Sequence, residues 1–289
     1  MKLIFLFFIL SIHLYAIDKI NVGLYVEEKV NIKNIKFITS VVEKSINKNN
    51  EKINISIKSY YSPEKILKDF KENRLKVILL RSYFYFKNKN KILDDFDTKW
   101  HLQFGKSKYQ QYYLIANNTA NTSDIFNSKE TYSIISHAGY MNSLLWFDYL
   151  KYSKTKKIQK KFEYIYTTKF NKLSNKVFFN KNYLAVLKKE VYESAIELNP
   201  QLKRKIKILH KSKNIFSTYI AFTHKSLTKS EKNNLFQLAR NITNILDKSR
   251  ISDSITVQLL PSLSKDDFRE LDHFFSQYEK LKKIYLKKK

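Results

Sequence analysis

Hydrophobic and polar positions along the chain alternate between two periods. Lys19–Tyr25 alternates with a period of two and predicts a first strand. Ile35, Ile38, Val42 and Ile46 then fall at helical spacing. Ile53, Ile55 and Ile57 return to a period of two and predict a second strand. Ser62-Pro63-Glu64 reads as a helix start, with Ser62 as N-cap and Pro63 at the first helical position. Val77–Leu80 is wholly apolar, as a buried parallel strand is. Further strands are predicted at Tyr112–Ala116, Tyr132–Ser136, Phe162–Thr167, Ile206–Leu209 and Thr218–Phe222. Met141–Tyr152 reads as a helix. Tyr183–Leu198 reads as mainly helical and stops at Asn199-Pro200. Thr228-x-x-Glu231 and Ser264-x-x-Asp267 are capping boxes that open the last helices. Strands alternating with helices predict an α/β fold with largely parallel sheets.

The length suits two lobes. A chain of 289 residues is one large domain or two moderate ones. The strand at Tyr112–Ala116 sits where a chain would cross to a second lobe, and Thr218–Phe222 where it would return. The expected division is 17–115 with 215–289 in lobe 1 and 116–214 in lobe 2. A cleft between lobes is a preferred place for ligands.

The first segment reads as an address. Met1-Lys2 precedes a short apolar run, Leu3–Ile12, and Leu14-x-Ala16 is an acceptable cleavage signature. The run has the length of a secretory signal peptide and falls short of a membrane span. Cleavage near Ala16 is expected, leaving an exported chain. With no cysteine, export points to a bacterial periplasm.

Composition removes several chemistries. Zero cysteines exclude disulfides, thiolate metal sites and cysteine nucleophiles. Three glycines exclude a Walker A loop and a GxGxxG turn. No two of the six histidines have metal-ligand spacing on one helix face, and HExxH and GxSxG are absent. Asp94-Asp95 reads as a solvated loop and Asp266-Asp267 as an acidic first helical turn. No enzyme, metal site or cofactor is indicated.

The formal charge is +28, or +27 once Lys2 leaves with the leader. It invites an anionic partner without choosing one. The chain is rich in Lys, Asn, Ile, Tyr and Phe, all of which have AT-rich codons, so an AT-biased genome would produce this composition with no functional cause. The lysines are spread over every element, and no nucleic-acid motif accompanies them. A nucleic-acid partner is not expected.

Two spots carry more information. Ser133–Ser143 reads as strand, glycine turn at Gly139, then helix. The first N–H groups of a helix point outward unpaired, and the dipole adds positive potential, so an anion site needs no side-chain charge. Ser136, His137 and Tyr140 flank it. The alternative is an ordinary strand-to-helix turn. The second spot is Arg81-Ser82-Tyr83-Phe84-Tyr85, at the carboxyl end of a buried strand, where α/β sheets place ligands. Arg81 can fork onto a phosphate or carboxylate, and Tyr83 and Tyr85 can line a cleft. Tyr25 ends the first strand in the same way. A surface arginine with packed aromatics reads equally well.

Several phrases together resemble a known family. They are Leu79–Tyr85, Ser136–Tyr140 with Leu145–Leu150, Glu197–Leu202 with Ile206–Ser212, and the ending from Thr218 through Asp272. They resemble the phosphate/phosphite/phosphonate substrate-binding proteins of ABC importers, the PhnD-type periplasmic binding proteins, over about Ile20 to Phe275. The resemblance implies a two-lobed, type 2 Venus-flytrap fold with two crossover strands. It implies a small oxyanion held at the cleft, a monomer, and a membrane permease as partner. A membrane signalling kinase is the alternative partner. The family's Ser-Thr-Ser hydroxyls correspond here to Ser136, His137 and Ala138, so two of the three are changed. The acidic residue that would meet a ligand amino group falls near Asn182. His137 and Arg81 are the candidate replacement donors.

Overall fold

The computed structural model describes residues 18–26, 32–49, 53–92, 95–104, 109–122, 125–127, 130–137, 141–156, 162–167, 169–216, 219–247, 257–260 and 265–287. The expected leader, residues 1–16, lies outside them, as do Ser264, Gly139 and Tyr140. The strands are β1 Asp18–Tyr25, β2 Ile53–Tyr60, β3 Val77–Arg81, β4 Phe96–Phe104, β5 Tyr109–Gln110, β6 Tyr112–Asn117, β7 Tyr132–His137, β8 Phe162–Thr167, β9 Tyr183–Lys188, β10 Ile206–Lys211, β11 Ile215–Phe216, β12 Tyr219–His224 and β13 Val257–Leu260. The helices are α1 Ile32–Asn49, α2 Pro63–Lys71, α3 Ser82–Ile92, α4 Met141–Lys154, α5 Asn171–Phe179, α6 Lys189–Leu198, α7 Gln201–Lys205, α8 Lys229–Asp247 and α9 Lys265–Lys287.

The chain divides into two compact units. The first holds residues 1–81, 88–106 and 219–263, and the second holds 82–87, 107–218 and 264–289. α9, which the sequence reading puts with lobe 1, thus groups with the second unit. Aromatic packing holds it there: Phe274 lies 5.8 Å from Tyr149, and Tyr285 lies 4.8 Å from Tyr152, both on α4.

The first unit is built on a six-stranded sheet in the order β13-β4-β12-β3-β1-β2. β1 runs parallel to β2 and β3, while β12 is antiparallel to both β3 and β4, and β13 to β4. The expectation of largely parallel sheets is corrected to mixed ones, because returning strands such as β12 insert beside β3 without a helical crossover. Ile20, Val22, Ile55 and Val77 pack with Ile46 of α1 and with Leu235 and Leu238 of α8. Ser62 caps α2 as predicted, accepting from Lys65 N at 3.2 Å. The Thr228–Glu231 capping box closes reciprocally, with bonds of 2.6 and 3.2 Å.

β2 is an edge strand, and α1 covers its open backbone. Asn47 donates from Nδ2 to Ile55 O (2.9 Å) and accepts from Ile55 N (2.7 Å). Glu43 accepts from Ile57 N (2.8 Å). These side chains occupy groups that would otherwise template pairing with another chain. Asn47→Ala should cost about 1–2 kcal/mol in urea unfolding, through two lost bonds to half-buried backbone. An unchanged midpoint would reject the capping role.

The second unit is built on a five-stranded sheet in the order β10-β6-β9-β7-β8. β7 is parallel to β8 and β9, and β6 is antiparallel to β9 and β10. β6 is buried at every position, so both of its faces are covered. Tyr112, Leu114, Ile134, Leu184 and Val186 pack on Trp146 and Phe147 of α4. Tyr113, Ile115, Ile135, Ala185 and Leu187 pack on Leu173 and Val177 of α5. Tyr183–Leu198, expected to be mainly helical, is the central strand β9 followed by α6. Leu184–Leu187 is a short apolar run, which periodicity alone cannot divide between strand and buried helix. Its burial between two central strands decides for the sheet.

Candidate functional site

The three parallel strands of the second unit end together. Ser136 pairs with Val186 on β9 and with Tyr166 on β8, and His137 pairs with Thr167. The carboxyl ends of β7, β8 and β9 therefore form one sheet edge, where open α/β sheets receive ligands. α4 begins there at Met141. Its first N–H groups have no partner within the helix and carry the positive end of the dipole.

Hydroxyl and amide groups surround that helix start. Ser136 is fully buried, and its Oγ lies 2.9 Å from Ser143 Oγ on α4, which is also fully buried. Asn142 Nδ2 donates to Ser82 Oγ at 3.3 Å, and Ser82 is 1% exposed. The sequence treated the Arg81–Tyr85 stretch and the Ser133–Ser143 turn as separate spots. The Asn142–Ser82 bond joins the turn's helix to the Ser82–Tyr85 part of that stretch inside the second unit. Sequence reasoning quoted Asn142 and Ser143 without giving them roles.

The remaining predicted residues are distributed otherwise. The His137 ring stacks on Phe170, with centroids 4.3 Å apart and planes 10° apart. Tyr83 turns to α9, donating to Glu279 Oε1 at 2.6 Å and packing beside Phe275. Burial and the Glu279 carboxylate push its phenol well above the ordinary value. Burial works to raise the Glu279 carboxyl, and the Tyr83 hydroxyl and Lys87 outweigh it and hold the group below its ordinary value. Tyr85 is buried against Phe268, and burial followed by Asp272 pushes it up to about 12. Tyr83 and Tyr85 thus dock the closing helix. Tyr25 and Arg81 end β1 and β3 in the first unit, both half-buried. Asn182 is not brought to the α4 edge. It precedes β9, and its carbonyl accepts from Ser133 N (3.0 Å), which places it at the amino ends of β7 and β9.

Two other features are distinct from this edge. A shallow groove of about 520 Å³ runs between α1 and β2, lined by Lys36, Glu43, Lys58 and Tyr61 among others. Tyr61 Oη is buried with no hydrogen-bond partner among the described residues. The second feature is a serine–histidine pair, His224 Nδ1 to Ser226 Oγ at 2.8 Å. Ser226 Oγ donates to Asn73 Oδ1 (2.6 Å), and Lys76 Nζ donates to both Asn73 and Ser226. His224 Nε2 is buried with no hydrogen-bond partner among the described residues, and the ring abuts Phe70 edge-on at 5.1 Å. Among the described residues, no carboxylate is hydrogen-bonded to the imidazole, the contact by which a third group would orient a base. Among the described residues, no group of three His, Asp or Glu is placed to hold a metal.

Two histidines, His224 in the first unit and His210 in the second, set a pH dependence. Burial first, then Lys76, lowers the His224 pKa from 6.5, and burial and Lys154 lower that of His210. Below pH 6.5 the unfolded chain takes up protons that the folded chain resists, so stability falls as pH falls. Above it both states are neutral, and these groups contribute no slope. The melting temperature should drop between pH 7.5 and 5.5. The double variant His210→Asn/His224→Asn should flatten that slope, and an undiminished slope would assign it elsewhere.

No protein-family model and no curated protein matches the sequence. Solved structures match over most of its length. XAC2383 from Xanthomonas citri, bound to ATP, aligns with a TM-score of 0.60 at 8% identity, covering 92% of this chain and 98% of that one. PhnD1 from Prochlorococcus marinus, in complex with methylphosphonate, aligns at 0.57 and 12% identity, covering 92% and 99%. The periplasmic aliphatic sulphonate binding protein SsuA from Escherichia coli aligns at 0.51 and 9% identity, covering 93% and 88%. The fold is that of the two-lobed type 2 periplasmic binding proteins, as the resemblance implied. No helix among the described residues is long and apolar enough to cross a membrane.

Proposed function

We propose that this chain is an exported solute-binding protein that captures a small oxyanion and presents it to the membrane permease of an ABC importer. The fold shared with solute-binding proteins over 92–93% of the chain carries this reading. PhnD1 was solved with methylphosphonate, and SsuA is named for aliphatic sulphonates, so both point to small tetrahedral oxyanions. The α4 start supplies the matching chemistry. Backbone N–H groups and the Asn142 amide donate to an anion's oxygens, and charge-assisted bonds of this kind are about twice as strong as neutral ones. Ser136 and Ser143 satisfy each other and tie the end of β7 to the first turn of α4. His137, which ends β7, and Gly139 and Tyr140 after it in the sequence are the further candidate contacts. Residues 1–16 are the leader that takes the chain to the periplasm.

The test is a thermal-shift panel on the chain from residue 17. Phosphate, phosphite, methylphosphonate, an alkylsulfonate and acetate are added in turn. A ligand that binds only the folded chain raises the melting temperature by mass action, worth about 2.7 kcal/mol at one hundred times its Kd. At least one tetrahedral oxyanion should give this response. A panel without a response to any anion would overturn the reading.

A further inference from the structure

The α4 edge of the second sheet also holds a cation that the sequence reading passed over. Lys188 is the last residue of β9, directly after the wholly buried Leu184–Leu187. Side chains alternate along this strand. Leu184 and Val186 face α4 with Tyr112 and Trp146, while Ala185 and Leu187 face α5 with Leu173 and Val177. Lys188 is the next position on the α4 face. Ser136 is on that face as well, since its hydroxyl meets Ser143 of α4. Because Ser136 pairs with Val186, Lys188 stands two residues, about 7 Å, beyond it along the strand direction. The backbone there is fixed on both sides. Lys188 lies opposite Tyr112 of β6, and Lys189 N donates to Gln111 O at 2.8 Å.

We propose that Lys188 supplies the fixed positive charge of the ligand site, and so restricts the ligand to oxyanions that carry no ammonium group of their own. The proposal rests on the solute-binding reading and names the ligand class within it. The resemblance led to an acid near Asn182 that would meet a ligand amino group, but Asn182 lies at the opposite ends of these strands. The residue that β9 brings to the α4 edge is a cation. A ligand ammonium would meet Lys188 as a like charge, and a negative oxygen would meet it as a partner. Burial lowers the Lys188 ammonium to about 8, with Glu190 opposing the shift. A bound anion relieves that cost, so charge and ligand support each other.

The experiment is calorimetric titration of the chain from residue 17 with methylphosphonate and with aminomethylphosphonate, which differ by one ammonium. Wild type should prefer methylphosphonate by about ten-fold or more, the scale of one charge-assisted contact. Lys188→Met should lose methylphosphonate affinity by a similar factor and with it the preference over aminomethylphosphonate. Lys188→Glu should reverse the preference. A lysine that only supports the fold would instead lower the melting temperature of the Met variant and leave the preference intact, and that result overturns the proposal. Equal affinity of wild type and Lys188→Met for methylphosphonate overturns it too, while leaving the solute-binding reading standing. If wild type binds neither phosphonate nor any other anion of the thermal-shift panel, both fall.

Discussion

Phe147→Ala should destabilise the second unit by about 3–5 kcal/mol, the cost of removing a fully buried aromatic from a packed core. Phe147 is 0% exposed. Its ring lies 5.1 Å from Phe162 edge-on, 6.1 Å from Phe126 and 6.1 Å from Tyr164. It sits between α4 and the face of β6, β7 and β9, so its removal loosens the helix whose start forms the candidate site. Urea unfolding followed by tyrosine and tryptophan fluorescence reads the effect, since Trp146 is the neighbouring residue on α4. Phe147→Leu should lose much less, because it keeps most of the volume. Equal losses in the two variants would show that the site is not closely packed.

Asp148→Ala should cost about 2–3 kcal/mol, and its cause is electrostatic. Asp148 Oδ1 accepts from Lys151 Nζ at 2.8 Å and from Tyr164 Oη at 2.5 Å. Lys151 Nζ also donates to Tyr164 Oη and lies within 6.0 Å of the Tyr152, Tyr164 and Tyr285 ring centres. Burial, then the Asp148 carboxylate, raises the Tyr164 phenol far above its ordinary value. The acid thus anchors a lysine inside a tyrosine cage shared by α4, β8 and α9. Both charged side chains are mostly buried, at 14% and 21% exposure, so hydrogen bonds to charge keep most of their worth. Lys151→Met in the Asp148→Ala background should recover part of the loss, because the stranded cation is then gone. No recovery would show that the cation carries none of the cost.

The two helices whose starts combine a capping side chain with a proline or an acid, α2 and α8, were legible from Ser62-Pro63 and Thr228-x-x-Glu231. Each local signal there names one backbone geometry, and nothing distant competes with it. β3 was legible because a short apolar run bounded by Lys76 and Arg81 has few other uses. β4 carried a usable signal that went unread: Phe96, Trp100, Leu102 and Phe104 fall on alternate positions. β9 was misread because leucine and alanine suit a helix equally well, and only its place between β6 and β7 decides the matter. That misreading also hid Lys188. A lysine inside a helix reads as solvated, whereas a lysine ending a buried strand stands at a ligand edge. The α4 edge was legible as far as the strand β7 and the helix α4 follow each other in the expected order. Its second layer was not, because Asn142 and Ser82 are 60 residues apart in sequence. Tyr83 and Tyr85 sat in the predicted segment but serve α9, whose docking surface no local pattern reveals.

The charge excess is also better placed. Lys151, Lys176, Lys205, Lys211 and Lys282 lie over aromatic rings, at 4.9–5.8 Å from the nearest ring centre. Some of the lysine excess therefore has structural work covering tyrosine and phenylalanine faces. The cation that the proposal above assigns to the ligand site is Lys188.

The most direct test of the account is amide and lysine chemical-shift mapping of the chain from residue 17 during titration with methylphosphonate. The account predicts saturable shifts at the amides of Asn142 and Ser143 and at the Lys188 ammonium, with the α1–β2 groove around Lys36 and Lys58 unmoved. Shifts confined to that groove, or no saturable shift anywhere, would contradict it.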